Sequence, residues 1–117
     1  MRKFNWLVLT NCTLGDDAEF NRWYDEEHIP DLLRIPGVVG VRRGRLSPSQ
    51  MTMAEGPPRL CGPEEIASKY AYLAVYAITA DDPDAVLAQV RDRAGTERMP
   101  LSPTFREAYT ILYEDFA

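Results

Sequence analysis

Residues 21–38 read NRWYDEEHIPDLLRIPGV and contain the only histidine of the chain, His28. An imidazole set beside Trp23, Tyr24, Asp25, Glu26 and Glu27, and followed two residues later by Pro30, poses both a structural and a chemical question. Upstream, Asp16 is placed to cap a helix, with Glu19 three residues on as a variant of the capping box; acids in the first turn suit the positive end of the helix dipole. The helix is predicted from about Asp17 to His28 or Ile29. Pro30 has no N–H for the carbonyl of Glu26 and its ring crowds that turn, so it ends or kinks the helix. A short continuation, PDLLR, leads to Ile35, and Pro36-Gly37 turns the chain into the next element.

Working outward, FNWLVLTN at 4–11 reads as a first strand, with Phe4, Trp6 and Val8 on one face and Leu7 and Leu9 on the other. VVGVRRGRL, ending near Leu46, is a second. YAYLAVYAI at 70–78 is a third, with Tyr70, Tyr72 and Tyr76 on one face and Leu73 and Val75 on the other. A helix follows with Asp82 as N-cap, Pro83 at its first position, apolar Val86, Leu87 and Val90, and Gly95 as its stop. TERMPLSPTF is a loop, and a fourth strand runs from about Ala108 to Glu114. The segment 47–69 holds four prolines and two glycines and reads as a long loop, with one helical turn at PEEIAS. The order β-α-β-β-α-β is that of a ferredoxin-like α+β domain: a four-stranded antiparallel sheet with two helices on one face. The uncovered face also carries apolar residues, which predicts pairing of two sheets in a homodimer.

Composition bounds the function. The 117 residues suit one domain, 1–117, with a hydrophobic core. A net charge of −5 disfavours nucleic acid and anionic membrane surfaces as partners. No apolar run approaches the ~18 residues of a membrane span. The N-terminal apolar run, FNWLVL, is short, interrupted and not followed by a cleavage pattern, so the expected compartment is the cytosol. Cys12 and Cys61 stand apart without the spacing of a zinc site, and no metal is expected.

At about 100° per residue, Phe20, Trp23, Tyr24, Glu27 and Asp31 share one helical stripe, with His28 at its edge. Imidazole titrates near neutrality, and an adjacent carboxylate can fix its tautomer and raise its basicity; His28 and Glu27 are therefore the candidate catalytic pair, with Asp25 as the alternative orienting acid. Trp23 and Tyr24 are candidate walls for a substrate, with core packing as their competing role. Tyr72, Tyr76 and Tyr109 could offer phenols to a cavity, and Asn11 could bind a substrate oxygen or cap the strand end. Arg43 in VRRGR could clamp an anionic group, but exposed arginines on strands are common and it is read as one of these.

WYDEEHIPDLLRIPGV, preceded by a strand and followed by VRRGR, resembles the signature of the EthD-like group of the dimeric α/β-barrel superfamily. The resemblance implies a homodimer with two sheets packed face to face and a mostly apolar pocket between sheet and helices. It implies a pocket histidine that moves protons on a small hydrophobic molecule without metal or organic cofactor, as in methylmuconolactone methylisomerase, aromatic polyketide cyclases and cofactor-free anthrone monooxygenases. Only Trp23, Tyr24, Glu27, His28 and Pro30 carry over by motif. The methylisomerase relies on more than one histidine, and this chain has one. The expected function is a cofactor-independent lyase, isomerase, cyclase or dehydratase acting on a cyclic or aromatic substrate in catabolism or secondary metabolism. The alternatives are a cofactor-free monooxygenase, a non-catalytic ligand-binding or stress-response dimer, and a heme-degrading enzyme using His28 as axial ligand.

Overall fold

The four strands expected from the alternation form one antiparallel sheet, and two helical segments cover one of its faces. The structure, a computed structural model, describes residues 1–116. In chain order the elements are β1 (Arg2–Cys12), α1 (Asp17–Trp23), a π-helical turn (Tyr24–His28), α2 (Ile29–Leu33), β2 (Val38–Arg45), β3 (Gln50–Thr52), β4 (Arg59–Cys61), a 3-10 turn (Pro63–Glu65), β5 (Tyr72–Ala80), α3 (Pro83–Arg93) and β6 (Phe105–Glu114). The sheet order is β2-β5-β1-β6, with every neighbouring pair antiparallel. This is the expected α+β arrangement, with β3 and β4 inserted between β2 and β5.

Period-two alternation decides which side of each strand is buried. Phe4, Trp6 and Val8 of β1 face the helices beside Ala74, Tyr76 and Ile78 of β5. Phe20, Trp23, Tyr24, Leu32 and Ile35 from the first helical segment and Val86 from α3 close the core over them. Each such side chain contributes about 1.5–3 kcal/mol by leaving water. The ends of α3 follow local chemistry as predicted. The Asp82 carboxylate accepts from Asp84 N and Ala85 N at 3.1 and 3.4 Å, and Gly95 adopts φ +81° just beyond the helix.

Several expectations are corrected. The 47–69 segment is not structureless: β3 pairs with β4 in register Met51 to Leu60, as a small hairpin followed by the 3-10 turn. Three-residue strands are too short for a period to show in the sequence. The Asp16 side chain makes no cap hydrogen bond, and Glu19 binds Arg22 at 2.7 Å, so the capping box does not form. The strand expected at 70–78 begins at Tyr72. Asn11 is the reason: its Nδ2 donates to Lys69 O and its Oδ1 accepts from Ala71 N, each at 2.9 Å, pinning the chain before the strand starts. Tyr70 therefore leaves the Tyr72 and Tyr76 face and stacks on Tyr109 instead.

Away from the helices, Leu7, Leu9, Leu73, Val75 and Ile111 are only half-buried, and Tyr109 and Tyr113 are exposed. The shape is correspondingly flat, 44 × 41 × 17 Å, with a radius of gyration of 15.8 Å. A compact chain of this length has roughly 13 Å. Among the described residues no helix is long and apolar enough to cross a membrane.

The Pro36-Gly37 turn into β2 depends on Gly37, whose φ is +101° and whose carbonyl accepts from Thr79 N at 2.8 Å. A Cβ there would stand 3.0 Å from Val86 Cγ2 and 3.3 Å from Thr79 O. Gly37→Ala is expected to lower folding stability by about 1–3 kcal/mol in urea unfolding, from backbone strain and crowding together. Gly44→Ala, where an added methyl meets nothing within 4 Å, should change stability by no more than about 0.5 kcal/mol.

Candidate functional site

Pro30 does not terminate the helical segment; the helix widens to admit it. Ile29 N donates to Tyr24 O, a five-residue span, and α2 then carries Pro30 near its N-terminus, where its missing N–H leaves no gap. The wide turn takes up one extra residue, which rotates everything after it by about 100° relative to a plain α-helix. The buried stripe accordingly runs Phe20, Trp23, Tyr24, His28, Leu32 and Ile35, instead of passing through Glu27 and Asp31. His28 moves from the edge of the stripe into it.

The imidazole is 9% exposed. It stacks on Trp23 with ring centroids 4.6 Å apart and meets Tyr24 edge to face at 5.0 Å. Its Nδ1 is buried and has no hydrogen-bond partner. Burial, and secondarily the charge of Arg43, push its pKa from 6.5 down to about 4, so the ring is neutral at pH 7.

Arg43 occupies the space between this helix and the sheet. Its position in β2 places it on the inner face, beside Ala74 of β5. Its side chain is only 17% exposed. Nη1 donates to Asp25 Oδ1 at 3.0 Å and Nη2 to Asn21 Oδ1 at 2.8 Å, while Nε is buried without a partner. The guanidinium carbon lies 4.2 Å from the centre of the Tyr24 ring, a cation–π contact. Beneath it the Tyr76 hydroxyl donates to the Tyr24 hydroxyl at 3.0 Å, and burial raises the pKa of both phenols. A cleft of about 230 Å3 opens in front of Arg43, lined also by Asn21, Asp25, Gly44, Arg45 and Tyr72.

The helical segment and Arg43 both lie within residues 15–105, which match the family model of the EthD domain. The chain belongs to the EthD family. Among solved structures, an EthD-family protein from Bacillus halodurans C-125 is similar over 99% of this chain and 100% of its own, at 13% identity and a TM-score of 0.48. No curated protein matches the chain.

Within this EthD domain the predicted site residues separate. Trp23, Tyr24, Tyr76 and His28 converge in the core. Trp23 Nε1 donates to Pro100 O at 3.3 Å, and its edge reaches a second cleft, of about 200 Å3, shared with Pro100, Leu101 and Pro103. Glu27 does not orient His28. The register change of the π turn turns it outward, where its carboxylate binds Arg22 at 2.7 Å, alongside the Arg22 pairs with Glu19 and Glu26. Asp25, the alternative, binds Arg43. Tyr72 lies near Arg43, but its hydroxyl donates to Asp17. Asn11 is committed to the chain bend before β5 and to Glu107. Tyr109 lies on the uncovered face. Among the described residues no three of His, Cys, Asp and Glu converge as a metal-holding group. Arg43 is the residue that sequence reasoning undervalued, as an exposed strand arginine, where the structure half-buries it between helix and sheet. The available signal was its place in the alternation of β2, which gives it the same inward side as Val41.

The single histidine makes the electrostatics directly measurable. In proton NMR the His28 imidazole is expected to titrate near pH 4, and Arg43→Gln to move the midpoint upward by removing the cation that opposes protonation. The same shift governs acid stability. Below the unfolded pKa of 6.5 the unfolded chain takes up a proton that the folded chain refuses, so stability falls as pH drops from 6.5 toward about 4. Comparing wild type with His28→Gln by urea unfolding across that window should reveal a loss on the order of 3 kcal/mol in the wild type only.

Proposed function

We propose that this EthD-family chain is a cofactor-independent enzyme that moves a proton on a hydrophobic cyclic or aromatic substrate, in a lyase, isomerase, cyclase or dehydratase reaction. One observation carries the reading: a buried, neutral imidazole with an unpaired ring nitrogen, held against an aromatic wall. Unpaired buried polar atoms are rare in folded chains and cost about 1–3 kcal/mol, which a structural histidine would avoid by finding a partner. His28 acts as the proton acceptor, and Trp23 and Tyr24 form the apolar wall against which a planar substrate lies. The Tyr24–Tyr76 hydroxyl pair is a neutral donor system in the same core.

A competing reading is a binding protein without turnover. It draws on the same electrostatics, since an imidazole with a pKa near 4 is a weak base for work at neutral pH. The two readings part at His28. Screening cyclic ketones, lactones and phenols for conversion should yield a substrate whose turnover falls by about 10²–10⁴-fold in His28→Gln with its affinity retained. A ligand bound without conversion, and lost on that substitution, supports the binder.

The working assembly is a homodimer formed through the uncovered sheet face. The half-buried row Leu7, Leu9, Leu73 and Val75 and the flat shape of the chain support it. Sedimentation is expected to give twice the 13.3 kDa chain mass for the wild type and a monomer for Val75→Lys, which puts a charge opposite Leu7 at the centre of that face.

A further inference from the structure

Two buried side-chain atoms among the described residues lack hydrogen-bond partners, His28 Nδ1 and Arg43 Nε. Both belong to groups that touch the same ring. Arg43 lies over the face of Tyr24 at 4.2 Å, and His28 meets that ring at 5.0 Å with an interplanar angle of 75°. Buried polar atoms are satisfied as a rule, so two exceptions beside one aromatic ring single out this part of the core. Their chemistries differ. Arg43 Nε–H is a charged donor with no acceptor capacity, whereas a neutral imidazole nitrogen can give or take a proton according to tautomer.

Arg43 is also incompletely neutralised. Its only carboxylate partner among the described residues, Asp25, is 59% exposed at the rim of the cleft, and Asn21 supplies a neutral oxygen. Arg45, on the same face of β2, adds a second cation to the lining. At about 230 Å3 the cleft lies below the roughly 300–1,000 Å3 of sites for larger ligands and suits a single substituted ring.

We infer that Arg43 binds an acidic oxygen of the substrate, a carboxylate, enolate or phenolate, in the cleft bounded by Asn21, Asp25 and Tyr72; His28 does not line this cleft and is joined to it through the Tyr24 ring that both side chains touch. The inference rests on the acid–base reading for the identity of the site and adds the class of ligand. It also supplies a reason for the weak basicity of His28 in the free protein. An anion on Arg43 offsets the positive charge that, with burial, opposes protonation of the imidazole. The charged group that acts on His28 is Arg43 from β2, and the titratable group packed against its ring is Tyr24 from its own helical segment.

The test uses the full chain and defined probes: benzoate against benzamide, and 2-hydroxybenzoate against 2-hydroxybenzamide, titrated with backbone-amide and His28 imidazole NMR. The carboxylates are expected to shift the amides of Asn21, Asp25, Arg43 and Gly44 and to bind about 10-fold or more tightly than the amides of the same shape. Arg43→Gln should erase that preference. Asp25→Asn, an exposed substitution that frees Nη1, should tighten carboxylate binding several-fold; this keeps the test open even if Arg43→Gln misfolds. Equal binding of acids and amides, no shifts at the cleft, or weaker binding by Asp25→Asn overturns the inference. His28→Gln separates the two proposals. Carboxylate preference that survives while no substrate is ever turned over sinks the catalytic reading alone, and turnover of neutral substrates with no charge preference sinks this one alone.

Discussion

Pro30 offers no N–H to the helix that contains it, and the arrangement of the site depends on that deficit. A plain α-helix would leave the carbonyl of Glu26 facing a proline ring; the chain widens to a π turn instead, and the bond from Ile29 N to Tyr24 O spans the extra residue. A rotation of about 100° is enough to exchange neighbours between core and solvent. His28 goes in, and Glu27 goes out to Arg22. The same change sends Leu32 and Ile35 into the core, which anchors the end of the segment and keeps the widened turn from unwinding.

Once inside, the imidazole is governed by its surroundings. Trp23 and Tyr24 remove water and provide no hydrogen bond, and Arg43 adds a positive charge nearby, so both influences favour the neutral ring. Arg43 is held there by more than charge. Its contact with the Tyr24 face and its bonds to Asn21 and Asp25 tie the first helical segment to β2, across the layer that separates helix from sheet. By contrast, the exposed pairs of Arg22 with Glu19, Glu26 and Glu27 lie in high dielectric and contribute little individually. The buried polar groups of this segment are therefore on the sheet side of the helix, away from the acidic run that dominates its sequence.

The two faces of the sheet carry different burdens. One is closed by the helical segments around Phe20, Tyr76 and Ile78, which are at most 1% exposed. The other presents a row of half-buried aliphatic side chains that the helical segments do not cover, and the β3–β4 hairpin exposes Met51 and Leu60 in addition. The chain thus covers one face of its sheet with its helical segments and leaves aliphatic surface on the other outside its own core. Membership of the EthD family does not itself fix what the site does, since one scaffold hosts many chemistries.

Local sequence alone determined the strand alternation of β1 and β5, the ends of α3 at Asp82 and Gly95, the Pro36-Gly37 turn and the order of the four main strands and the helical segments, though not the inserted β3–β4 hairpin. Each depends on residues a few positions apart, where side-chain chemistry and backbone geometry suffice. It also singled out His28 and its aromatic neighbours. The phase of the helix beyond Tyr24 was decided by tertiary packing, because a proline can be met by breaking a helix or by widening it, and only the sheet beneath rewards the choice that buries His28, Leu32 and Ile35. Tertiary structure likewise assigned Glu27 to solvent, Asn11 to the bend before β5 and Arg43 to the core, since each depends on a partner 5 to 60 positions away in the chain.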